Sequence, residues 1–100
     1  MKQNEYTIKA RIWLYDGVAA WHFITVPKKE SESIPQRFGL MKRGWGSLPV
    51  IVTIGKTSWK TSIFTDKKRG GYLLPLKAEV RKKEHLSVGE TVSFHLAIQT

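Results

Sequence analysis

The stretch Tyr72-Leu73-Leu74-Pro75-Leu76-Lys77-Ala78-Glu79-Val80-Arg81-Lys82-Lys83-Glu84-His85, with Thr91-Val92-Ser93-Phe94-His95-Leu96-Ala97-Ile98 beyond Gly89, decides the fold. Tyr72 to Leu76 reads as a short apolar strand interrupted by Pro75. Lys77 to His85 reads as a compact helix, because Leu76 and Val80 fall one turn apart and Glu79 precedes Lys83 by four residues in the favourable orientation. The chain then turns at Gly89 and alternates strictly. Val92, Phe94, Leu96 and Ile98 share one face of the final strand, and Thr91, Ser93, His95 and Ala97 the other.

The same order of parts occurs earlier. Trp21 to Val26 is apolar and ends at Pro27, Ser33 opens a helical signal carrying Ile34 and Phe38, Gly44 and Gly46 break the chain, and Val50, Val52 and Ile54 alternate. Ser33 with Gln36 matches a capping box, and Pro35 is tolerated in a first helical turn. Ahead of this unit, Tyr6, Ile8, Ala10, Ile12 and Leu14 share a face, and Asp16-Gly17 is a two-residue hairpin signal. The strand from Ala20 to Val26 has poor periodicity, which points to burial on both faces or to a bent barrel strand. Gly55-Lys56 fits a turn with glycine at its first central position, Trp59, Thr61 and Ile63 alternate beyond it, and a further hairpin turns through Asp66 to Gly71.

Six strands and two short helices result, the helices near residues 31–40 and 77–85, in a ββαβ order that occurs twice. So many short strands on so few residues are best protected by closure, since an open sheet would leave two edges and half its apolar face uncovered. The expectation is a mainly β protein, a small closed or nearly closed six-stranded β-barrel forming one domain over residues 1–100. Parallel pairing is expected where a helix links two strands. The expected core includes Ile8, Ile12, Trp21, Val52, Ile54, Leu74, Val80, Phe94 and Leu96.

Composition narrows the chemistry. The chain has no Cys, which excludes disulfides, thiolate metal sites and cysteine nucleophiles. No apolar run is long enough to span a bilayer as a helix, and the N-terminus lacks the order of a signal peptide, so a cytoplasmic protein without membrane insertion is the default. The net charge of +9 favours anionic partners. That charge is spread, with +4 in residues 1–50 and +5 in residues 51–100.

With these residues in view, the chain resembles a family of small prokaryotic proteins described only as domain of unknown function 1905. The resemblance is carried by Gly17, Ala20-Trp21-His22-Phe23 and Val26-Pro27, by Pro49-Val50 through Ile54-Gly55, and by Thr61-Ser62-Ile63-Phe64. It continues through Tyr72-Leu73-Leu74-Pro75-Leu76-Lys77-Ala78, Val80-Arg81-Lys82 and Gly89-Glu90-Thr91-Val92, with Glu90 where the family usually has Asp. It implies a small β-barrel and no established activity. The tail is also similar, more weakly, to one unit of the swapped-hairpin DNA-binding barrels of transition-state regulators. Those proteins close their barrel from two chains, whereas this sequence carries both units itself.

Catalytic and metal chemistry find little support. His22, His85 and His95 are scattered and lack ligand spacing, so no metal site and no cofactor are expected. Ser58 or Ser62 with His22 and Asp66 would form a triad only if geometry assembled them, and no catalytic residues are assigned. Gly44 and Gly46 lack the Lys-Ser or Lys-Thr of a phosphate loop. The densest positive clusters are Lys67-Lys68-Arg69, in the hairpin, and Arg81-Lys82-Lys83, on the helix; both are candidate polyanion contacts. Trp45, in a Gly-flanked basic loop, and Trp13, beside Lys9 and Arg11, are candidate aromatic contacts, because an indole next to a cation can stack a base or ligand. The alternative is that Trp13 packs beneath a helix outside the barrel, the favoured reading for that residue, and that Trp45 plugs one barrel end. The expected function is a small non-enzymatic binding module for nucleic acid or another polyanion. A small-ligand barrel with an aromatic-lined mouth is the second reading.

Overall fold

A computed structural model describes residues 4–15, 21–27, 29–31, 33–34, 47–66 and 71–99. Strands β1 (Glu5–Leu14), β2 (His22–Thr25), β3 (Ser47–Ile54), β4 (Thr57–Thr65), β5 (Tyr72–Leu76) and β6 (Thr91–Ile98) form a closed barrel in the order β1-β2-β5-β4-β3-β6. Helix α1, described at residues 29–31 and 33–34, joins β2 to β3, and α2 (Ala78–Lys83) joins β5 to β6. Exchanging β1 with β4, β2 with β5 and β3 with β6 maps this ring onto itself. The repeated ββαβ order is therefore a two-fold relation in the topology as well as in the sequence.

All six neighbouring pairs are antiparallel, which corrects the expectation of parallel pairing across the helices. The reason lies in where the helices go. Each leaves and returns at the same end of the barrel, so the strands that it joins run in opposite directions and are not neighbours in the ring. α2 closes the end at which β1 and β5 finish, and α1 the opposite end.

Side-chain parity decides inside from outside. On β6, Val92, Phe94, Leu96 and Ile98 are buried, while Thr91 and Ser93 are exposed. On β1, Ile8 and Ile12 point inward; on β3 the inward residues are Leu48, Val50, Val52 and Ile54. Ile12, Ile24, Leu48, Val50, Val52, Ile63, Leu74 and Leu96 have 0% of their surface exposed, so branched aliphatic side chains fill the described interior. Trp21 departs from the expected core, with 55% exposed. Its register explains this. Ile24 pairs with inward Ile12, so β2 turns Ile24 inward and Phe23 outward, and Trp21 shares the parity of Phe23.

The first helix starts earlier than its sequence signal. Ser31 N–H donates to the Pro27 carbonyl (2.9 Å), so Pro27 opens the first turn and Ser33 is already helical, which removes the capping box read at Ser33. Ser33 Oγ instead lies 3.3 Å from the Tyr6 hydroxyl. Residues 35–40 of the expected helix lie outside the described residues, as does the Asp16-Gly17 turn. Ser31 Oγ donates to the Val26 carbonyl (2.8 Å), and a Cβ on Gly71 would stand 2.7 Å from that hydroxyl. Glycine at position 71, with φ of +118°, is what lets α1 close down on the strand ends.

At the other end α2 is shorter than the expected 77–85 span. It ends at Glu84 in a Schellman arrangement, with Leu86 N–H donating to the Arg81 carbonyl (2.9 Å) and His85 at φ 54°. Glu84 Oε2 accepts from Thr57 Oγ1 (2.6 Å), and its carboxylate occupies the space where a side chain on Gly55 would go. This ties α2 to the two-residue turn between β3 and β4.

Two outcomes follow for stability. Phe94→Ala should lower the unfolding free energy in chemical denaturation by about 3–5 kcal/mol, and a loss under about 1 kcal/mol would place Phe94 outside the core. His85→Gly should raise it by about 0.5–1 kcal/mol, because glycine relieves the left-handed backbone at the helix end.

Candidate ligand-binding surface

The parity that fills the barrel also dictates what its wall presents. On β1 the outward residues after Thr7 are Lys9, Arg11 and Trp13, and on β2 they are Phe23 and Thr25. Trp13 pairs across with Phe23, and Phe23 with Pro75 of β5, so the three form one outward row. The next row runs through Thr25, Leu73 and Phe64, the last 40% exposed. β-sheet geometry makes this face about 17 Å long along β5 and about 10 Å wide from β1 to β5.

Its rings are organised. The Trp13 and Phe23 centroids lie 5.4 Å apart and tilted, Trp21 stacks on Phe23 at 6.0 Å and 24°, and Tyr15 meets Phe23 edge-on at 6.2 Å. Phe23 is the hub. Trp13 is half-buried, and its Nε1–H donates to Thr25 Oγ1 (2.9 Å), which ties the indole to β2. Trp13 therefore packs outside the barrel on its strand neighbours. Trp21 and Tyr15 stay open, at 55% and 47% exposed.

Where this face meets α2 there is an open cleft of about 400 Å³, lined by Trp21, His22, Pro75, Leu76, Lys77 and Arg81 among others. Arg81 is held at two points. Its Nε–H donates to the Leu76 carbonyl (3.4 Å), and its Nη1–H donates to His22 Nε2 (3.3 Å), which requires the imidazole proton on Nδ1. The three basic residues read together on the helix separate in space. Arg81 enters the cleft, Lys82 is exposed, and Lys83 pairs with Glu79 (3.4 Å) on an exposed face.

Lys67, Lys68, Arg69 and Trp45 lie outside the described residues. The connection that carries the first three leaves β4 after Thr65 and is closed by Asp66 N–H donating to the Gly71 carbonyl (2.8 Å). β5 thus runs from that connection to α2, and the two basic clusters of the sequence belong to opposite ends of one strand. The residues that sequence reasoning missed are Trp21, assigned to the core, and Tyr15, Phe23, Lys77 and the pairing of His22 with Arg81. The weak periodicity of Trp21 to Val26 was the available signal, because an outward aromatic row and a buried aliphatic row produce the same apolar run.

Ser58 Oγ is engaged with Thr53 Oγ1 (2.7 Å), His22 with Arg81, and His95 Nε2 with Glu5 Oε1 (2.8 Å). Among the described residues no three side chains of metal-ligating type come together, and no helix is long and apolar enough to cross a membrane.

An outward aromatic face edged by cations thus lies on the wall of a barrel whose described interior is filled by aliphatic side chains. The family model described as Domain of unknown function (DUF1905) matches residues 9–96, and the chain belongs to that family. No curated protein matches the chain.

Because Trp21 is mostly exposed, Trp21→Ala should change the unfolding free energy by less than about 1 kcal/mol in urea or thermal melts. A larger loss would make the indole a structural element of the wall.

Proposed function

We propose that the protein is a binding module for single-stranded nucleic acid, which lies across the outer face of β1, β2 and β5. The observation that carries this reading is the Trp13–Phe23–Trp21 ring row, open to solvent at Trp21 and bordered by Lys9, Arg11, Lys77 and Arg81. Unpaired bases offer π-faces to such rings, and stacking is worth roughly 1–3 kcal/mol per base. The cations at the border would take the phosphates, and a chain with net charge +9 attracts the polymer before contact. A duplex hides its base faces, so the row favours single strands. In length the face matches a few nucleotides.

The test is binding of mixed-sequence single-stranded DNA and RNA, and of duplexes, by fluorescence anisotropy at low and moderate salt. Single strands should bind better than duplexes, with log K falling against log salt at a slope of about −0.7 per phosphate contacted. Trp21→Ala should weaken binding by about 5- to 100-fold, the equivalent of one lost stack. Replacing Lys67, Lys68 and Arg69 by Gln should flatten the salt slope by about 0.7 for each phosphate contact they make. Absence of binding at low salt, or equal binding by the parent and Trp21→Ala, would overturn the reading.

A further inference from the structure

The two-fold relation of the ring provides an internal control for the cleft at α2. Ile24 of β2 pairs with Leu74 of β5, and equal steps along the chain from each bring Val26 into correspondence with Leu76, Ser31 with Arg81, and Trp21 with Gly71. The correspondence extends to bonding. Ser31 Oγ donates to the Val26 carbonyl, and Arg81 Nε donates to the Leu76 carbonyl. At the α1 end the small pair, Gly71 and Ser31, is in close approach and leaves no room between them for a side chain on Gly71. At the α2 end the same two places hold an indole and a guanidinium, and a cleft of about 400 Å³ stands between strand and helix. Among the described residues the corresponding pair at α1 stands in contact, so the opening goes with the side chains placed at the α2 end and not with the two-fold frame.

We infer that the cleft is a pocket for a nucleoside monophosphate, taken either as the terminal nucleotide of a single strand or as a free mononucleotide; the strand-terminal form rests on the single-strand reading above. The volume falls in the range of small-ligand sites, roughly 300–1,000 Å³. Pro75 and Leu76 provide an apolar floor and the exposed Trp21 indole a flat wall for the base. Arg81 supplies a planar fork that matches two phosphate oxygens, and its anchoring by the Leu76 carbonyl and His22 orients it before the ligand arrives. Lys77, exposed at the mouth, adds a second positive charge. The position favours an end over an internal nucleotide. α2 bounds the face at the finish of β5, so a strand laid along β5 stops against the helix, and its last nucleotide enters the cleft.

The intact protein is titrated, by tryptophan fluorescence and calorimetry, with one short single-stranded DNA carrying a 5′-phosphate, a 3′-phosphate or hydroxyl ends, and with adenosine monophosphate. One phosphorylated end should bind at least about tenfold tighter than the hydroxyl-ended strand, as a charge-assisted bidentate contact predicts. Arg81→Gln should make all three strands bind alike, with thermal unfolding confirming that the variant is folded. Arg81→Lys, which keeps the charge without the fork, should recover only part of the preference. Equal binding of all ends by the parent, or an end preference that persists in Arg81→Gln, would overturn the pocket while leaving the single-strand face standing. If no strand binds but the mononucleotide does, with dependence on Arg81, the face is overturned and the pocket stands for the free ligand. Competition by the mononucleotide against the preferred strand identifies one site for both sources.

Discussion

The pairings of β2 with β5, β3 with β4, β3 with β6 and β1 with β6 hold this molecule together, because they are the contacts that join its first half to its second within a ring. A ββαβ unit alone would expose strand edges and one face of aliphatic side chains. Two units closed on each other leave no edge and bury that face. Closure then forces a strict division between an aliphatic inside and an outer wall. Everything distinctive about the surface follows from which side chains fall on the outward parity.

The barrel was legible in the sequence because its signals are local. The alternation of Val92, Phe94, Leu96 and Ile98, the Gly55-Lys56 turn and the proline at or near the end of each helix-preceding strand need no knowledge of distant residues. Strand direction across the helices was not legible, since it depends on the helices crossing the barrel ends and not packing on a sheet face. The start of α1 was obscured for a different reason. A Ser-to-Gln spacing of the capping type is satisfied by many sequences, whereas the position of Pro27 is fixed by the end of β2.

The surface was legible only in part. Arg81 and Trp13 were singled out by residue type, but their settings differ from what neighbours in sequence suggest. Arg81 faces His22 and Trp21 from a different element, and Lys83 is taken up by Glu79. Trp21 was assigned to the interior because tryptophan is usually well buried, a tendency that the register with β1 overrides. A pairing of strands, invisible in one sequence, is what turns four aromatic residues on two strands and their adjoining ends into a single cluster.

The Gly55-Lys56 turn has a meaning beyond hairpin geometry. It is the only covalent link between the two halves of the ring, and it is two residues long. Two separate copies of such a unit would have to meet in solution, and their assembly would vary with concentration. A tether this short makes the encounter intramolecular, at an effective concentration of the order of millimolar or above. It also releases the halves from identity. In a pair of identical chains any change at one end of the barrel is copied to the other, so an opening could not appear beside α2 without appearing beside α1. Joined in one chain, the two ends can carry different side chains at corresponding places, Gly71 and Ser31 at one and Trp21 and Arg81 at the other.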